Sequence, residues 1–449
     1  MANRRIGIWL IGAKGGVATT TIVGLVALRQ GRIGPTGLVT QLPQFQHLDL
    51  PGWDELVVGG HEIRQAPLAR EAMRLATQMR VVAPELIDRC RGELDEIDGR
   101  IRPGTIYNVG GAIAGLAHPA IPRERSPAAI VDRLKRDLLE FHEQTGAEHV
   151  VVVNVASTEP PHDTAGLPPT WEELRRLLEQ ESPLPPGDGQ GPYVSPRPPG
   201  EGQGVRALSS AAQSGCPLPA SSLYAIAALD LGCSYVNFTP SLGSAPAAID
   251  ELARLRGARH AGCDGKTGET LLKSVLAPMF ARRNLRVMSW VGHNIFGNMD
   301  AQVLADPANK AAKLASKDRL LAEVLGYRPQ SHISIEQVES LGDWKTAWDH
   351  VHFAGFLGTP MTLQFIWQGC DSVLAAPLVL DLVRLVESAR RRGESGLLPF
   401  LASFFKSPLG VTEHGFDRQY AMLEEWARLA SPAVGNRPRE TRINGLAVN

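Results

Sequence analysis

Only five of the 449 residues are cysteine (Cys90, Cys216, Cys233, Cys263 and Cys370), and no two of them form a Cys-x-x-Cys pair. That spacing speaks against a disulfide framework and a thiolate zinc site, and it fits a reducing compartment. No apolar run reaches 18 residues, so no membrane span is predicted. The apolar stretch Ile6–Ile11 is too short for the core of a signal peptide, and a cytoplasmic location is expected. Charge of one sign is also lacking: 46 Lys+Arg against 47 Asp+Glu leave −1. A protein held by a nucleic-acid backbone would carry a basic surface, so nucleic acid is not an expected partner. The most telling shortage is lysine. Of the 46 basic residues 37 are Arg and 9 are Lys, and seven of the nine (Lys266, Lys273, Lys310, Lys313, Lys317, Lys345 and Lys406) fall between 266 and 406. Arg does not release its proton near neutral pH whereas a desolvated Lys does, so the cluster points to positions where Arg will not serve.

The remaining composition, 43% hydrophobic and 21% charged, is that of a globular protein long enough for two to three domains. Ile6–Ile11 reads as a strand, Gly12–Val17 as a glycine turn and Ala18 onward as a helix. A second strand is predicted at Gly37–Thr40. Val150–Val153, running on to Ser157, has the continuous β-branched character of a parallel strand buried on both faces. Another strand is predicted at Ser234–Thr239, behind an alanine-rich helix from Leu223 to Leu231. Strands alternating with helices predict an α/β fold, a Rossmann-type doubly wound parallel sheet. Residues 182–206 hold 7 Pro and 6 Gly and read as a surface insertion. Beyond 266 a strand at Arg286–Val291 opens into Gly292–Asp300. Asp306-Pro307 then starts a helix reaching about Gly326, with Lys310, Lys313 and Lys317 on one face. A strand at Thr362–Trp367 leads to Asp371, at the head of a helix over Val373–Arg391. An apolar helix over Leu397–Phe405 delivers Lys406.

The turn Gly12-x-x-Gly15-Gly16-x-x-Thr19-Thr20 suits a dinucleotide. Small residues let the backbone approach a pyrophosphate at a helix N-terminus, and threonine hydroxyls add hydrogen bonds. Gln41 stands at the end of the predicted second strand, where an acidic residue for the ribose is expected, so that rule leaves NAD against NADP open.

Across nearly its whole length the chain resembles the inositol-3-phosphate synthase (myo-inositol-1-phosphate synthase) family, its archaeal-type branch in particular. The resemblance is carried by Ile11–Thr20, Gly59-Gly60-His61-Glu62-Ile63-Arg64, Asn154–Pro160, Asn237-Phe238-Thr239-Pro240, Asp264-Gly265-Lys266-Thr267-Gly268-Glu269-Thr270, Asn294–Asp300, Leu374-Ala375-Ala376-Pro377 and Phe405-Lys406-Ser407-Pro408-Leu409. It implies an NAD-dependent conversion of glucose 6-phosphate to inositol phosphate by C5 oxidation, enolisation, ring closure and re-reduction. It also implies which residues take part. Lys313 is matched to the C5 hydroxyl proton, Lys317 and Lys345 to the C1 oxygen, and Lys406 to enolisation. Asp371 is matched to the lysines and the C5 region, and Asn294 to the active site beside the nicotinamide. The implied NAD set is Gly12, Ala13, Gly15, Gly16, Val17, Thr19, Thr20, Asn154, Ala156, Ser157, Thr239, Asp264 and Asp300. Thr267, Gly268, Glu269 (through its backbone) and Thr270, with Phe296 and Asn298, are matched to the substrate phosphate.

The resemblance further implies a homotetramer, assembled through a catalytic domain at 267–371 inserted into an NAD domain of 1–266 plus 372–449. Members use a divalent metal or a monovalent cation, and the sequence does not choose between them. His61 and His293, lone histidines beside glycines, read as turn or polar-contact residues rather than ligands. Two rival readings are a sugar-phosphate dehydrogenase that ends with reduced cofactor, and a non-catalytic dinucleotide binder. Four lysines exceed what a simple oxidation needs, and none of the four positions has drifted to Arg.

Overall fold

The computed structural model describes residues 4–124, 126–179, 216–297 and 321–429. Seven strands form one wholly parallel sheet in the order β11-β6-β5-β4-β1-β2-β3. They are β1 (Ile6–Ile11), β2 (Leu56–Glu62), β3 (Ile101–Pro103), β4 (His149–Asn154), β5 (Ser234–Asn237), β6 (Arg259–Gly262) and β11 (Gly396–Leu397). The order reverses direction between β1 and β4, the arrangement of a doubly wound sheet.

Side chains alternate across this sheet into two separate cores. Ile6, Ile8 and Leu10 of β1 and Val151 and Val153 of β4 pack against α1 (Gly16–Arg29), α2 (Leu68–Thr77), α3 (Pro84–Asp98) and the long helix Asp371–Arg391. Trp9, Ile11, Val150 and Val152 point the other way. They meet α4 (Gly111–Ala114), α5 (Pro127–Thr145), α6 (Trp171–Leu178), α7 (Ala220–Asp230) and α8 (Ala247–Leu255). With both faces covered, the strands can be continuously apolar, as Val150–Val153 is.

The remaining strands form a four-stranded sheet in the order β10-β9-β7-β8: β7 (Arg286–Phe296), β8 (Gln330–Gln337), β9 (Trp344–Ala354) and β10 (Pro360–Cys370). β7 and β8 are parallel, whereas β9 runs antiparallel to both β7 and β10. Helix α9 (Gly268–Arg282) covers one face through Ala277 and Phe280, which pack on Val287, Trp290 and Val351. Helix α10 (Asp371–Arg391) leads back to the large sheet, and α11 (Phe416–Arg428) follows. No helix among the described residues is long and apolar enough to cross a membrane.

Three local expectations are corrected. The strand expected at Gly37–Thr40 is absent: Val39–Gln41 is a 3-10 turn, because the Val39 and Thr40 N–H groups donate to the buried Asp381 carboxylate of α10 rather than to a strand. The second strand is Leu56–Glu62. The strand expected at Arg286–Val291 continues to Phe296, since Gly292–Phe296 pair with both β8 and β9. The helix expected at Leu397–Phe405 is a 3-10 segment, Pro399–Phe404. Of the helix expected from Asp306, only its end lies within the described residues, as does none of 182–206.

Candidate active site

A crevice opens at the carboxyl ends of β1, β2 and β4, where the strand order reverses. It is a half-open crevice rather than an enclosed cavity. Gly12, Gly15, Gly16, Val17, Asn154, Ala156 and Ser157 line it together, as expected for the dinucleotide turn. Gly12 has φ +79°, and a Cβ there would stand 2.8 Å from the Ala156 backbone, so the turn closes on the β4 end only with glycine at this position. The Gly12 and Ala13 N–H groups donate to the His61 carbonyl, and Gly16 and Val17, the first residues of α1, whose N–H groups have no partner within the helix, line the crevice. Thr19 and Thr20, the fourth and fifth residues of α1, are buried one turn behind the crevice lining, and neither hydroxyl is partnered among the described residues. Unused donors and orphaned hydroxyls at one helix N-terminus fit a pyrophosphate.

Other matched residues are placed differently. Ala13 is fully buried beneath the turn. Asn154 donates to Asn237 Oδ1 and Thr239 Oγ1, both at 3.2 Å, and the Thr239 hydroxyl donates to Asn237 Oδ1 at 2.9 Å. Thr239 thus belongs to a polar cluster behind the crevice wall.

Glu62 and Asp343 also line the crevice, although sequence reasoning assigned neither. Glu62 closes the true second strand. Its carboxylate accepts from the Lys14, Ile63 and Arg64 backbone N–H groups at 2.9–3.0 Å. It occupies the end-of-strand position that was sought at Gln41, and the signal was the acid directly after Gly-Gly-His. Asp343 Oδ2 accepts from the Ser372 N–H at 3.1 Å and from the Cys370 thiol at 2.9 Å, and so caps α10. A Cβ on Gly16 would lie 3.7 Å from Asp343 Oδ1, so the N-termini of α1 and α10 converge on this residue. At the crevice floor Glu159 is buried and accepts from the Ser221 N–H at 2.8 Å; burial pushes its carboxyl up to about 7.

A second group of side chains gathers where 262–266 is held between 237–239 and 404–409. Asp264, at φ +64°, donates its N–H to the Thr239 carbonyl, and Lys406 donates its own N–H to the Asp264 carbonyl. Their side chains meet as well: Lys406 Nζ donates to Asp264 Oδ1 at 2.9 Å. Burial penalises the Lys406 ammonium, but the negative fields of Asp264, Asp371 and Glu269 outweigh that and hold its pKa above the ordinary lysine value. Asp371 is the first residue of α10, and its N–H donates to the Asp343 carbonyl.

Thr267 is the residue before α9, and Gly268, at φ +54°, begins the helix, so Thr267–Thr270 form a helix N-terminus rather than a loop. Asn294 is fully buried on β7, with neither amide atom partnered among the described residues. Phe296 is buried, and Lys345, its cross-strand partner on β9, places its ammonium 5.4 Å over the ring. Lys313, Lys317, Asn298 and Asp300 lie outside the described residues. His61 has both ring nitrogens engaged, Nδ1 accepting from Trp9 and Nε2 bonded to Asp137. His293 stacks on Trp348 and bonds Ser334.

Two family profiles described as myo-inositol-1-phosphate synthase match residues 6–187 and 268–372, together more than half of the chain. The chain belongs to this family. The match at 6–187 is the family's NAD-binding part, and the family's curated members are enzymes. An inositol-3-phosphate synthase of Bacteroides thetaiotaomicron is 29% identical over 468 residues, covering 99% of this chain and 98% of the relative. The fold matches a solved inositol-3-phosphate synthase of Caenorhabditis elegans with a TM-score of 0.77, at 21% identity over 94% of this chain and 85% of that one. A myo-inositol-1-phosphate synthase-related protein of Thermotoga maritima gives 0.69, at 24% identity over 95% and 99%.

Proposed function

We propose that the chain converts D-glucose 6-phosphate to 1D-myo-inositol 3-phosphate, the cofactor being used and restored within each turnover. One observation carries the reading: a half-buried Lys406–Asp264 pair, in the field of Asp371 and of Glu269 at the N-terminus of α9, is tied through the Asp264 N–H to Thr239, behind the wall of the crevice that suits NAD. NAD, when bound, supplies the reversible redox chemistry at C5. The first N–H groups of α1 and the Thr19 and Thr20 hydroxyls hold its pyrophosphate, and Glu62 takes the ribose end.

The chain's own groups then do the rest. The N–H groups at Thr267–Thr270 hold the substrate phosphate, and Asn294 supplies a buried amide to a sugar oxygen. Lys406 assists enolisation: its ammonium, held in place by Asp264, stabilises the negative charge that grows on the C5 oxygen as C6 loses its proton. Lys345 and Lys317 steady negative charge on the C1 oxygen as the ring closes, Lys313 handles the C5 hydroxyl proton, and Asp371 balances the lysines. Within this reading 1–266 and 372–449 bind NAD, 267–371 carries catalysis and assembly, and the protein is a cytoplasmic homotetramer.

Substrate deuterated at C5 tests it. The label is expected to remain on the ring of the inositol phosphate, because the hydrogen removed from C5 is returned there. Release of the label in the accumulated reduced cofactor, with an oxidised sugar as product, would replace this reading with the dehydrogenase.

A further inference from the structure

Lys273 belongs to the lysine cluster, yet the chemistry above gives it no task. It lies one turn inside α9 and is 1% exposed, as deeply buried as the apolar core. Its ammonium is 2.6 Å from Glu269 Oε1 and 3.3 Å from Asp349 Oδ1, an ion triad in which every member is at most 1% exposed. Trp290 closes it from the sheet side, donating its indole N–H to Asp349 Oδ1 at 2.7 Å with its ring 5.7 Å from the ammonium. Gly292 on β7 makes the room. A Cβ there would stand 3.0 Å from Glu269 Oε1, 3.1 Å from Asp349 Oδ1 and 3.3 Å from Lys273 Nζ. Burial works against the Lys273 charge, but the two carboxylates outweigh it and raise the lysine above its ordinary range.

Sealing three ionisable groups away from water is a poor route to stability, so the triad calls for another explanation. Glu269 supplies one. It is the second residue of α9, within the turn that receives the substrate phosphate, where an uncompensated carboxylate would repel a dianion. We propose that Lys273 is a positioning residue for phosphate recognition. It draws the Glu269 carboxylate inward and cancels its charge, so that the N–H groups of α9 meet the phosphate of a sugar phosphate without a competing anion. Asp349 and Trp290 hold Lys273 to that task. The proposal rests on the reading of Thr267–Thr270 as the phosphate site.

The test compares the full chain, with NAD present, as wild type, Lys273→Met, Glu269→Gln and the double variant. Calorimetric affinity for glucose 6-phosphate is measured beside kcat and KM. Lys273→Met is expected to weaken binding and raise KM by about tenfold or more, with kcat changed by less than about threefold. In the Glu269→Gln background the same Lys273→Met change is expected to move affinity by less than about twofold, because no carboxylate remains to be neutralised. Should Lys273→Met alone not fold, a loss of affinity above about twofold between Glu269→Gln and the double variant still overturns the positioning role. An equal loss of affinity in both backgrounds, or a loss confined to kcat, overturns the positioning role. Failure of the wild type to bind glucose 6-phosphate overturns instead the phosphate reading beneath it.

Discussion

Lys406 and Asp264 are 142 residues apart in the chain and meet at 2.9 Å. No local spacing announces that contact; it comes from backbone hydrogen bonds that join the segment after β6 to the segment after Phe404. Replacing Lys406 by Ala removes the ammonium that assists enolisation and is expected to lower kcat by about 10²–10⁴-fold. NAD affinity, read by calorimetry, is expected to stay near the wild-type value, since Lys406 does not line the crevice. Glu159 gives a second prediction at this scale. Its carboxyl is raised from 4.5 to about 7, chiefly by burial and despite hydrogen bonds from Ser221 and Ser241. The folded chain therefore holds a proton there that the unfolded chain has lost, and the contribution of Glu159 to stability falls as pH rises from about 4.5 to about 7. The size is on the order of 3 kcal/mol, from about 2.5 units at roughly 1.4 kcal/mol each. Urea unfolding at pH 5 and pH 8 should show Glu159→Gln losing less stability over that interval than the wild type. An identical pH dependence in both would contradict the assignment.

Elements were legible where one physical cause dominated. Val150–Val153 could be read as a buried parallel strand because β-branched residues run unbroken. The glycine turn could be read because its small residues sit between an apolar strand and a helix. β2 escaped because Gly59 and Gly60 interrupt its apolar run, and with it went Glu62, since an end-of-strand acid is sought only where a strand is expected. The stretch over 39–41 misled because Leu38-Val39-Thr40 has strand composition, while its conformation is set by Asp381, more than 300 residues away. Asp381 also accepts from the Thr40 hydroxyl, and Arg384 donates to the Pro51 carbonyl at 3.0 Å while stacking 4.3 Å over Trp53. Asp381→Ala strands these donors in the interior and is expected to cost about 2–4 kcal/mol in urea unfolding. A loss below about 0.5 kcal/mol would show that α10 does not fix this turn.

At the scale of the whole molecule, the crevice of the seven-stranded sheet and the four-stranded sheet are joined through the head of α10, where Asp343 and Ser372 meet Gly16. Neither sheet alone contains both the dinucleotide turn and the lysines. The ordered motifs disclosed the family because each is a short stretch shaped by one local task. The Lys273 triad was not legible in the same way, since its members come from α9 and β9 and need Gly292 of β7 for space. For assembly, light scattering is expected to give a mass four times the 48.5 kDa chain, whereas a monomer at working concentration would remove the tetramer from the proposed function. The most direct test of the redox-neutral cyclisation is turnover of glucose 6-phosphate with NAD well below the substrate concentration, followed by phosphorus NMR and by absorbance of the reduced cofactor. Inositol phosphate accumulating in many-fold excess over the NAD supplied, with no lasting rise in absorbance, is the predicted result. Product limited to one equivalent of NAD, with a matching rise in reduced cofactor, would contradict it.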